Sequence, residues 1–243
     1  METKDIATID EQPRIPKTKS FLALFDILGF KDLIRNDQLD SVYRVFLAVK
    51  DIKDNTKEMT EHLEALLEPG VVTVVNYSDS FLIYTLDIND IEQRRIDKAF
   101  HALLAACDSL FIAANENSLP LRGSITVGDI IVSDNLVIGK PVVEAYEMEQ
   151  QQEWIGCWVS RNALDLLSKE ALEGHIEEQA IVEYKIPLKK GNVGKMFAYN
   201  WTASYPFRKG NYTILNKRER IDWAVERKHR NTWEFINQLK SSI

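Results

Sequence analysis

The segment Phe21–Phe30, FLALFDILGF, predicts the central strand of the fold. Five apolar residues lead directly into the carboxylate of Asp26, and Gly29 follows three residues later. A continuous apolar run of this length, followed by turn-forming residues, indicates a strand buried on both faces. A carboxylate at the end of such a strand is costly unless a positive charge meets it. The glycine lets the backbone turn tightly towards a ligand before a helix begins.

A second apolar run, Val71–Tyr84, is interrupted by the tetrapeptide YSDS, which predicts a hairpin tip that carries Asp79. The two strands of this hairpin are VVTVVNY and FLIYT. Two acidic residues, each where a buried strand meets a turn, supply the hard oxygen ligands that a divalent metal needs beside substrate phosphates. Asp79 alone is also explained as a turn former, whereas Asp26 has no structural use after FLALF.

Composition excludes several classes of protein. The 243 residues are 45% hydrophobic and 28% charged, which is ordinary for a globular chain. The net charge of −7 argues against a general nucleic-acid binder. Two cysteines make neither a disulfide framework nor a zinc site. No apolar run reaches the length of a membrane span, and the first twenty residues lack a signal-peptide core, so we expect a cytoplasmic protein.

The spacing of apolar residues predicts the other elements and three regions of the chain. The regions are a flexible arm over residues 1–19, a core over 20–175 and an α/β extension over 176–243. The predicted elements are a long or broken helix over 39–66, a helix over Ile96–Ala114, a strand over 121–132, a helix over Pro141–Gln152, a strand over Trp154–Val159, a helix over Asn162–Leu172, strands over 180–187 and 195–201, and a helix over Lys217–Leu239.

This order of elements predicts an α+β, ferredoxin-like core: an antiparallel sheet with helices on one face. The first strand and the hairpin lie side by side in the middle of such a sheet. Asp26 and Asp79 would then be neighbours in space although they are far apart in sequence.

Four segments together resemble the motifs of the class III nucleotidyl cyclases. LFDILGF resembles their opening motif, Phe-x-Asp-Ile-x-Gly-Phe, with Leu24 in place of the first Phe. NYSDS resembles the hairpin of their second metal-binding aspartate, and LRGSITVGDI resembles their Arg-x-Gly-Ile-x-x-Gly strand. VIGKPVVEAYEMEQ resembles the helix that follows it. The segments stand in family order over about residues 20–160.

The resemblance implies a class III cyclase core that works as a homodimer with active sites at the interface. It implies that Asp26 and Asp79 hold two Mg²⁺ or Mn²⁺ ions, with the Ile27 carbonyl in the metal shell. The backbone amides of Gly29 and Phe30 would face the phosphates of a nucleoside triphosphate. The expected reaction yields a 3′,5′-cyclic monophosphate and pyrophosphate.

The chain departs from the family at four positions. The lysine and the acidic residue that help to select purine bases fall on Val75 and Leu136, and the transition-state asparagine and arginine fall on Val143 and Glu147. The sequence EAYEME of this helix instead resembles the divergent bacterial branch that includes the pyrimidine cyclases of anti-phage (Pycsar) systems. Those enzymes make cyclic UMP or cyclic CMP, which activates a separate effector.

Four further features have open interpretations. Arg122 heads a strand and either donates to a phosphate as a bidentate group or pairs with a surface carboxylate. Tyr77 either stacks on a base or packs in the sheet. Arg161 is a candidate transition-state cation, although a surface position at a helix start is favoured. The run Lys217–Arg230 holds six Lys/Arg against three acids and is a solvated helix face, or a dimer or effector contact.

The sequence thus favours a cyclase that acts on UTP ahead of CTP. Within the same class, the alternative is an adenylate or guanylate cyclase with unusual base contacts. From a different class, the alternative is a degenerate cyclase domain that binds a nucleotide or a partner without turnover. Asp26 and Asp79 argue against the degenerate form, and Val143 and Glu147 argue for it.

Overall fold

The computed structural model describes residues 16–36, 39–48, 72–133, 136–191, 194–204, 207–215 and 223–241. Residues 39–48 are helical and are named α2. Within the described residues, no helix is long and apolar enough to span a membrane. The other elements are β1 (Thr18–Ile27), α1 (Phe30–Arg35), β2 (Val72–Tyr77), β3 (Ser80–Thr85), α3 (Gln93–Glu116), β4 (Leu121–Ser133), β5 (Leu136–Gly139), α4 (Lys140–Gln151), β6 (Gly156–Val159), α5 (Arg161–Leu164), α6 (Lys169–Glu177), β7 (Ile181–Tyr184), β8 (Met196–Tyr199) and α7 (Trp223–Lys240), with three short 3₁₀ turns between β8 and α7.

One sheet joins all the described strands in the order β2-β3-β1-β4-β6-β8-β7, and β5 pairs with β4. The first four strands stand in the order β2-β3-β1-β4, with helices between β1 and β2 and between β3 and β4, which is the ferredoxin-like arrangement. β1 pairs antiparallel with both β3 and β4. The predicted α+β class is therefore confirmed, and the segment FLALFDILGF supplies its central strand.

The larger core lies between one face of the sheet and α3. Alternate residues of β1 enter this core, because successive side chains of a strand point to opposite faces. The Phe21 ring meets the Phe100 ring of α3 with their centroids 5.1 Å apart, and the Phe25 ring meets Phe111 at 5.5 Å. Both are edge-on contacts, the geometry that aromatic pairs prefer. These contacts fix the direction in which β1 presents its other residues.

Helix α4 covers the opposite face, so the prediction of helices on one face is wrong. Two hydroxyl side chains of β4 point to this face and bond to the backbone of α4. The Ser124 hydroxyl donates to the Ala145 carbonyl (2.6 Å) and the Thr126 hydroxyl donates to the Pro141 carbonyl (2.9 Å). Buried hydroxyls need such partners, and a second helix layer provides them. Asp26 and Arg122 share this face.

The sheet is also not purely antiparallel, because β4 and β6 run parallel. Beyond β6, strands β8 and β7 of the extension continue the same sheet. Helix α7 packs at the edge of this region, where the Phe235 ring lies 4.8 Å from the Trp154 ring. The extension therefore shares its core with the segment that resembles a cyclase.

Most predicted elements are present, with some changed boundaries. β1 begins at Thr18, inside the predicted arm, and the first fifteen residues lie outside the described ones. The predicted helix over Asn162–Leu172 is two helices, because the Ser168 hydroxyl accepts the Ala171 amide (3.1 Å) and caps the start of α6. Residues 49–66 of the first predicted helix and residues 217–222 of the last one lie outside the described residues.

Candidate active site

The site begins as one row of residues across four strands. In the sheet register, Tyr77 is opposite Ser80, Ser80 is opposite Asp26, and Asp26 is opposite Arg122. Directly opposite residues point to the same face of a sheet, and this face is the one that α4 covers in part. Tyr77 stands two strands from Asp26, which is roughly 10 Å at the usual strand spacing.

Asp26 and Asp79 are brought together, as predicted. The Ile27 amide donates to the Asp79 carbonyl at 3.0 Å, so the hairpin tip is bonded to the end of β1. Ser78 takes a positive φ of 53°, which closes the two-residue turn and places Asp79 beside the strand end. The negative charge of Asp79 acts on Asp26 and helps to raise its pKa.

Arg122 is buried, with 5% of its side chain exposed, and it forms the positive centre of the site. Its Nε and Nη2 both bond to Glu149 Oε1. Its Nη1 donates to the Gln152 carbonyl at 2.9 Å, and its Nη2 lies 3.8 Å from Asp26 Oδ2. The partner of Arg122 is therefore a buried carboxylate of α4 and not a surface one. A direct role of Arg122 towards a phosphate stays a prediction.

The pKa of Asp26 is raised from 3.8 to about 7. Burial is the largest cause, because it disfavours the charged carboxylate. The negative charge of Glu149 raises the pKa further, and the Arg122 guanidinium lowers it. Burial also raises the pKa of Glu149, and Arg122 opposes that shift. One arginine is thus shared by two carboxylates, and the negative charge of the site is only partly balanced.

The chain after Asp26 turns with its amides available. The Leu28 amide donates to the Pro120 carbonyl at 2.9 Å, which fixes the end of β1. Gly29 has a φ of 76°, the left-handed region that favours glycine, and α1 begins at Phe30. Among the described residues, no acceptor takes the amide of Gly29 or Phe30, as expected at the start of a helix. Their contact with phosphates, and that of the Ile27 carbonyl with a metal, stay predictions.

The donor set fits a divalent cation. Asp26 and Asp79 are hard oxygen ligands, and 24% of the Asp26 side chain is accessible. Asp26 shares the Arg122 guanidinium with Glu149, so its negative charge is only partly balanced. A bound divalent cation would therefore lower the free-energy cost of ionising Asp26. In the described part of the chain, no three His, Cys, Asp or Glu side chains form a metal-binding group. The site therefore has two carboxylates, and a substrate would have to supply further oxygens.

The other predicted residues lie either on the face of the sheet that carries Asp26 or at exposed positions of helices α4 and α5. Tyr77 is partly exposed on the face of Asp26, and Val75 packs in the apolar cluster of that face. Arg161 starts α5 at the surface and pairs with Asp165 at 2.8 Å, as favoured from the sequence. Val143 and Glu147 both lie on the exposed side of α4, and 57% of Val143 is accessible. The structure does not bring these α4 residues to the Asp26 of the same chain.

Sequence reasoning missed Glu149 and Lys189. Glu149 is 1% exposed, and the buried residues of α4 include Ala145, Met148 and Glu149. That helical spacing was visible in the sequence and would have placed Glu149 on the inner side. Lys189 acts electrostatically on Asp26, but it lies in a connection between two short strands. No local pattern indicates that position.

Comparisons with known proteins give distant structural likenesses. No family model and no curated protein matches the chain. The adenylyl cyclase CyaB from P. aeruginosa is 12% identical, with a TM-score of 0.48, over 85% of this chain and 98% of that one. An adenylate cyclase from Trypanosoma brucei is 16% identical, with a TM-score of 0.48, over 84% of this chain and 96% of that one. At these values the likeness assigns no activity to this chain.

Proposed function

We propose that the chain is a metal-dependent nucleotidyl cyclase that converts a nucleoside triphosphate to a 3′,5′-cyclic monophosphate and pyrophosphate. The observation that carries this proposal is the pair Asp26 and Asp79 at the end of the central strand, beside a turn with available amides. The order of the four cyclase-like segments supports it. Oxygens of a bound triphosphate, together with water, would complete the metal shell.

The residues of the chain have separable tasks in this reaction. Asp26 and Asp79 would hold two Mg²⁺ or Mn²⁺ ions, which lower the pKa of the ribose 3′-hydroxyl and neutralise the triphosphate. The Gly29 and Phe30 amides would orient the phosphates. Glu149 bonds to Arg122, and Arg122 Nη2 lies 3.8 Å from Asp26 Oδ2. This arrangement would keep the Asp26 carboxylate in one orientation. Since Asp26 must be ionised to bind metal, its pKa of about 7 makes metal affinity rise through neutral pH.

The preferred substrate in this proposal is a pyrimidine triphosphate, UTP ahead of CTP. Val75 packs among apolar residues, and Leu136 is exposed on β5. Neither side chain can donate or accept a hydrogen bond at a purine edge, so the purine-selecting pair is missing. Tyr77 shares the face of Asp26 and is the aromatic candidate for stacking. The product would act as a cytoplasmic second messenger in anti-phage defence, by activating a separate effector.

The enzyme would act as a homodimer with its sites at the interface. Val143 and Tyr146 project from α4, each 57% exposed, and Leu136 and Ile138 are exposed on β5. Exposed apolar groups of this number on neighbouring elements are typical of an interaction surface. A second copy on this surface would bring the outer side of α4 towards the opposite site.

A competition assay tests the proposal. Purified protein receives equimolar ATP, GTP, CTP and UTP with Mg²⁺ or Mn²⁺, and mass spectrometry identifies the products. Selective cyclic UMP or cyclic CMP is the expected result. Preferential cyclic AMP or cyclic GMP would refute the pyrimidine assignment, and an even mixture would indicate a permissive pocket. Linear diphosphates alone would refute cyclisation.

Two observations favour a second function, nucleotide binding without turnover. Arg122 is fully engaged by Glu149 and the Gln152 carbonyl, and the exposed α4 positions carry Val143 and Glu147 in place of the family's transition-state groups. Equilibrium dialysis with labelled triphosphates separates the two functions. Tight binding of a triphosphate with no cyclic product, with either metal and at concentrations that favour a dimer, would establish the non-catalytic function.

A further inference from the structure

Gln152 lies fully buried between the arginine of the site and the end of α4. Its backbone carbonyl accepts from Arg122 Nη1 at 2.9 Å. Its side-chain nitrogen donates to the Gly123 carbonyl at 2.8 Å and to the Met148 carbonyl at 3.0 Å. Because Gly123 belongs to β4 and Met148 to α4, Gln152 ties the buried guanidinium to both elements.

The side-chain oxygen of Gln152 is bonded from the other side. The indole N–H of Trp154, a fully buried residue, donates to Gln152 Oε1 at 2.8 Å. An indole can only donate, so this bond also fixes which end of the amide faces Trp154. The oxygen and both amide hydrogens of Gln152 then have partners, as a buried amide requires. Loss of the Trp154 donor would leave a buried acceptor unpaired, which is costly.

Helix α7 holds Trp154 in this position. The Phe235 ring meets the Trp154 ring edge-on, with the centroids 4.8 Å apart. The backbone on both sides of Trp154 is bonded to the same helix. The Asn231 side chain donates to the preceding carbonyl at 2.6 Å, and the Thr232 hydroxyl accepts the following amide at 2.8 Å. α7 therefore fixes the ring and the backbone of Trp154 together.

A buried network of Trp154, Gln152 and Arg122 thus connects the C-terminal helix to Asp26. All three residues are buried, and Arg122 Nη2 lies 3.8 Å from Asp26 Oδ2. Glu149 bonds to Nε and Nη2 of the guanidinium, whereas the Gln152 carbonyl bonds to Nη1. The two partners hold different edges of Arg122, so loss of either one leaves the guanidinium less restrained.

Building on the proposed cyclase function, we propose that Gln152 is a positioning residue of the active site and that α7 acts on Asp26 through it. α7 holds Trp154, Trp154 and the backbone of β4 and α4 hold Gln152, and Gln152 together with Glu149 orients the guanidinium beside Asp26. A displacement of about 1 Å in a group that takes part in the reaction lowers the rate by up to roughly a hundredfold. The C-terminal extension is then required for turnover, although its residues act only through others.

Trp154→Phe tests the network with a small change. It keeps an aromatic ring against Phe235 and removes the N–H that bonds to Gln152. Trp201→Phe is the matched control, because in the described part of the chain the indole N–H of Trp201 is buried without an acceptor. The Trp201 ring stacks on Phe111 of α3 at 5.3 Å, away from the network, and both variants lose the same part of an indole.

NMR of isotope-labelled arginine side chains observes Arg122 directly, without nucleotide or metal. Exchange of the Arg122 Nε–H with water should be about tenfold faster in Trp154→Phe, because an unpaired buried acceptor favours local opening. It should be unchanged in Trp201→Phe. Thr232→Val leaves the amide after Trp154 unpaired and should act like Trp154→Phe, whereas Thr232→Ser keeps the hydroxyl and should retain the protection.

A double variant shows whether Trp154 acts through Gln152. Gln152→Met alone should also speed the exchange of Arg122, and adding Trp154→Phe to it should give little further change, because the effects of residues in one hydrogen-bonded network are not additive. Additive effects would show that Trp154 acts by another route and would overturn the inference.

Turnover of a triphosphate supplies the second measurement. Trp154→Phe should lower kcat about tenfold and leave KM unchanged, since the amides of Gly29 and Phe30 that are proposed to hold the phosphates lie outside the network. Exchange and kcat equal to those of Trp201→Phe would refute the positioning role. Faster exchange with an unchanged kcat would refute it too, since the bonds would then serve only the fold. If the unchanged protein cyclises no triphosphate but the exchange rates follow the prediction, the hold of α7 on Arg122 stands and the cyclase proposal falls.

Discussion

Asp26→Asn is expected to abolish turnover and, in the metal-free protein, to increase stability. The folded protein favours protonated Asp26, because its pKa there, about 7, lies above its ordinary value of 3.8. The cost of ionising Asp26 is absent well below pH 3.8, grows as the pH rises, and is complete above about pH 7. Asparagine has nearly the same shape and carries no charge, so it removes this cost.

The size of the effect follows from the two pKa values. The difference between 3.8 and about 7 corresponds to roughly 4 kcal/mol at 1.36 kcal/mol for each pH unit. Solvent reaches 24% of the Asp26 side chain, so screening reduces this upper value, and we expect about 2–3 kcal/mol near pH 8. Near pH 5 the gain in the free energy of unfolding should fall to about a third, because Asp26 is then mostly protonated in the folded protein.

Urea unfolding of the metal-free protein at both pH values measures the gain. Millimolar Mn²⁺ should stabilise the unchanged protein at the higher pH and leave Asp26→Asn unaffected, since ligands stabilise only the state that binds them. Asp165→Asn is the control, because this exposed carboxylate pairs at the surface, and its loss should cost less than about 1 kcal/mol. Equal or lower stability of Asp26→Asn near pH 8, or a gain that does not change with pH, would refute the reasoning.

Three other substitutions test separate parts of the structure. Glu149→Ala leaves Arg122 buried beside one partly exposed carboxylate and should lower the free energy of unfolding by about 3–5 kcal/mol. Glu149→Gln should cost less, and equal stability of the two variants in urea would argue against the buried ion pair. Gly123→Ala places a methyl group 2.3 Å from Phe25 Cδ1 and should lower the free energy of unfolding by about 1–3 kcal/mol. A melting temperature like that of the unchanged protein would contradict this packing. Tyr146→Asp should shift light scattering at micromolar concentration from dimer to monomer without loss of folding, and a monomeric unchanged protein would exclude the shared site.

The fold was predictable where one segment carries a strong pattern. FLALFDILGF predicts the buried central strand, and the hairpin after it places Asp79 beside Asp26. The second helix layer was missed, although Ser124 and Thr126 alternate with apolar residues along β4. Two hydroxyls on one face of a buried strand require hydrogen-bond partners. This requirement could have indicated that the predicted helix over Pro141–Gln152 covers that face.

The composition of the site was predictable only in part, because its electrostatics depend on long-range contacts. Arg122 and Asp26 become opposite residues only in the register of β1 and β4. Glu149 had a local signal, its place on the inner side of α4, but its ion pair with Arg122 depends on tertiary packing. Lys189 is held near the site by the hydrogen bond from its amide to the Gln151 carbonyl, which no periodicity in the sequence indicates.

Phosphorus NMR of a single reaction tests the central claim most directly. The protein is incubated with one triphosphate, Mg²⁺ and no other enzyme, and the phosphorus signals are followed over time. The account predicts that the signals of a 3′,5′-cyclic phosphodiester and of pyrophosphate grow at equal rates, and that neither appears with Asp26→Asn or Asp79→Asn. Release of orthophosphate with a linear diphosphate, or equal product formation by either variant, would contradict it.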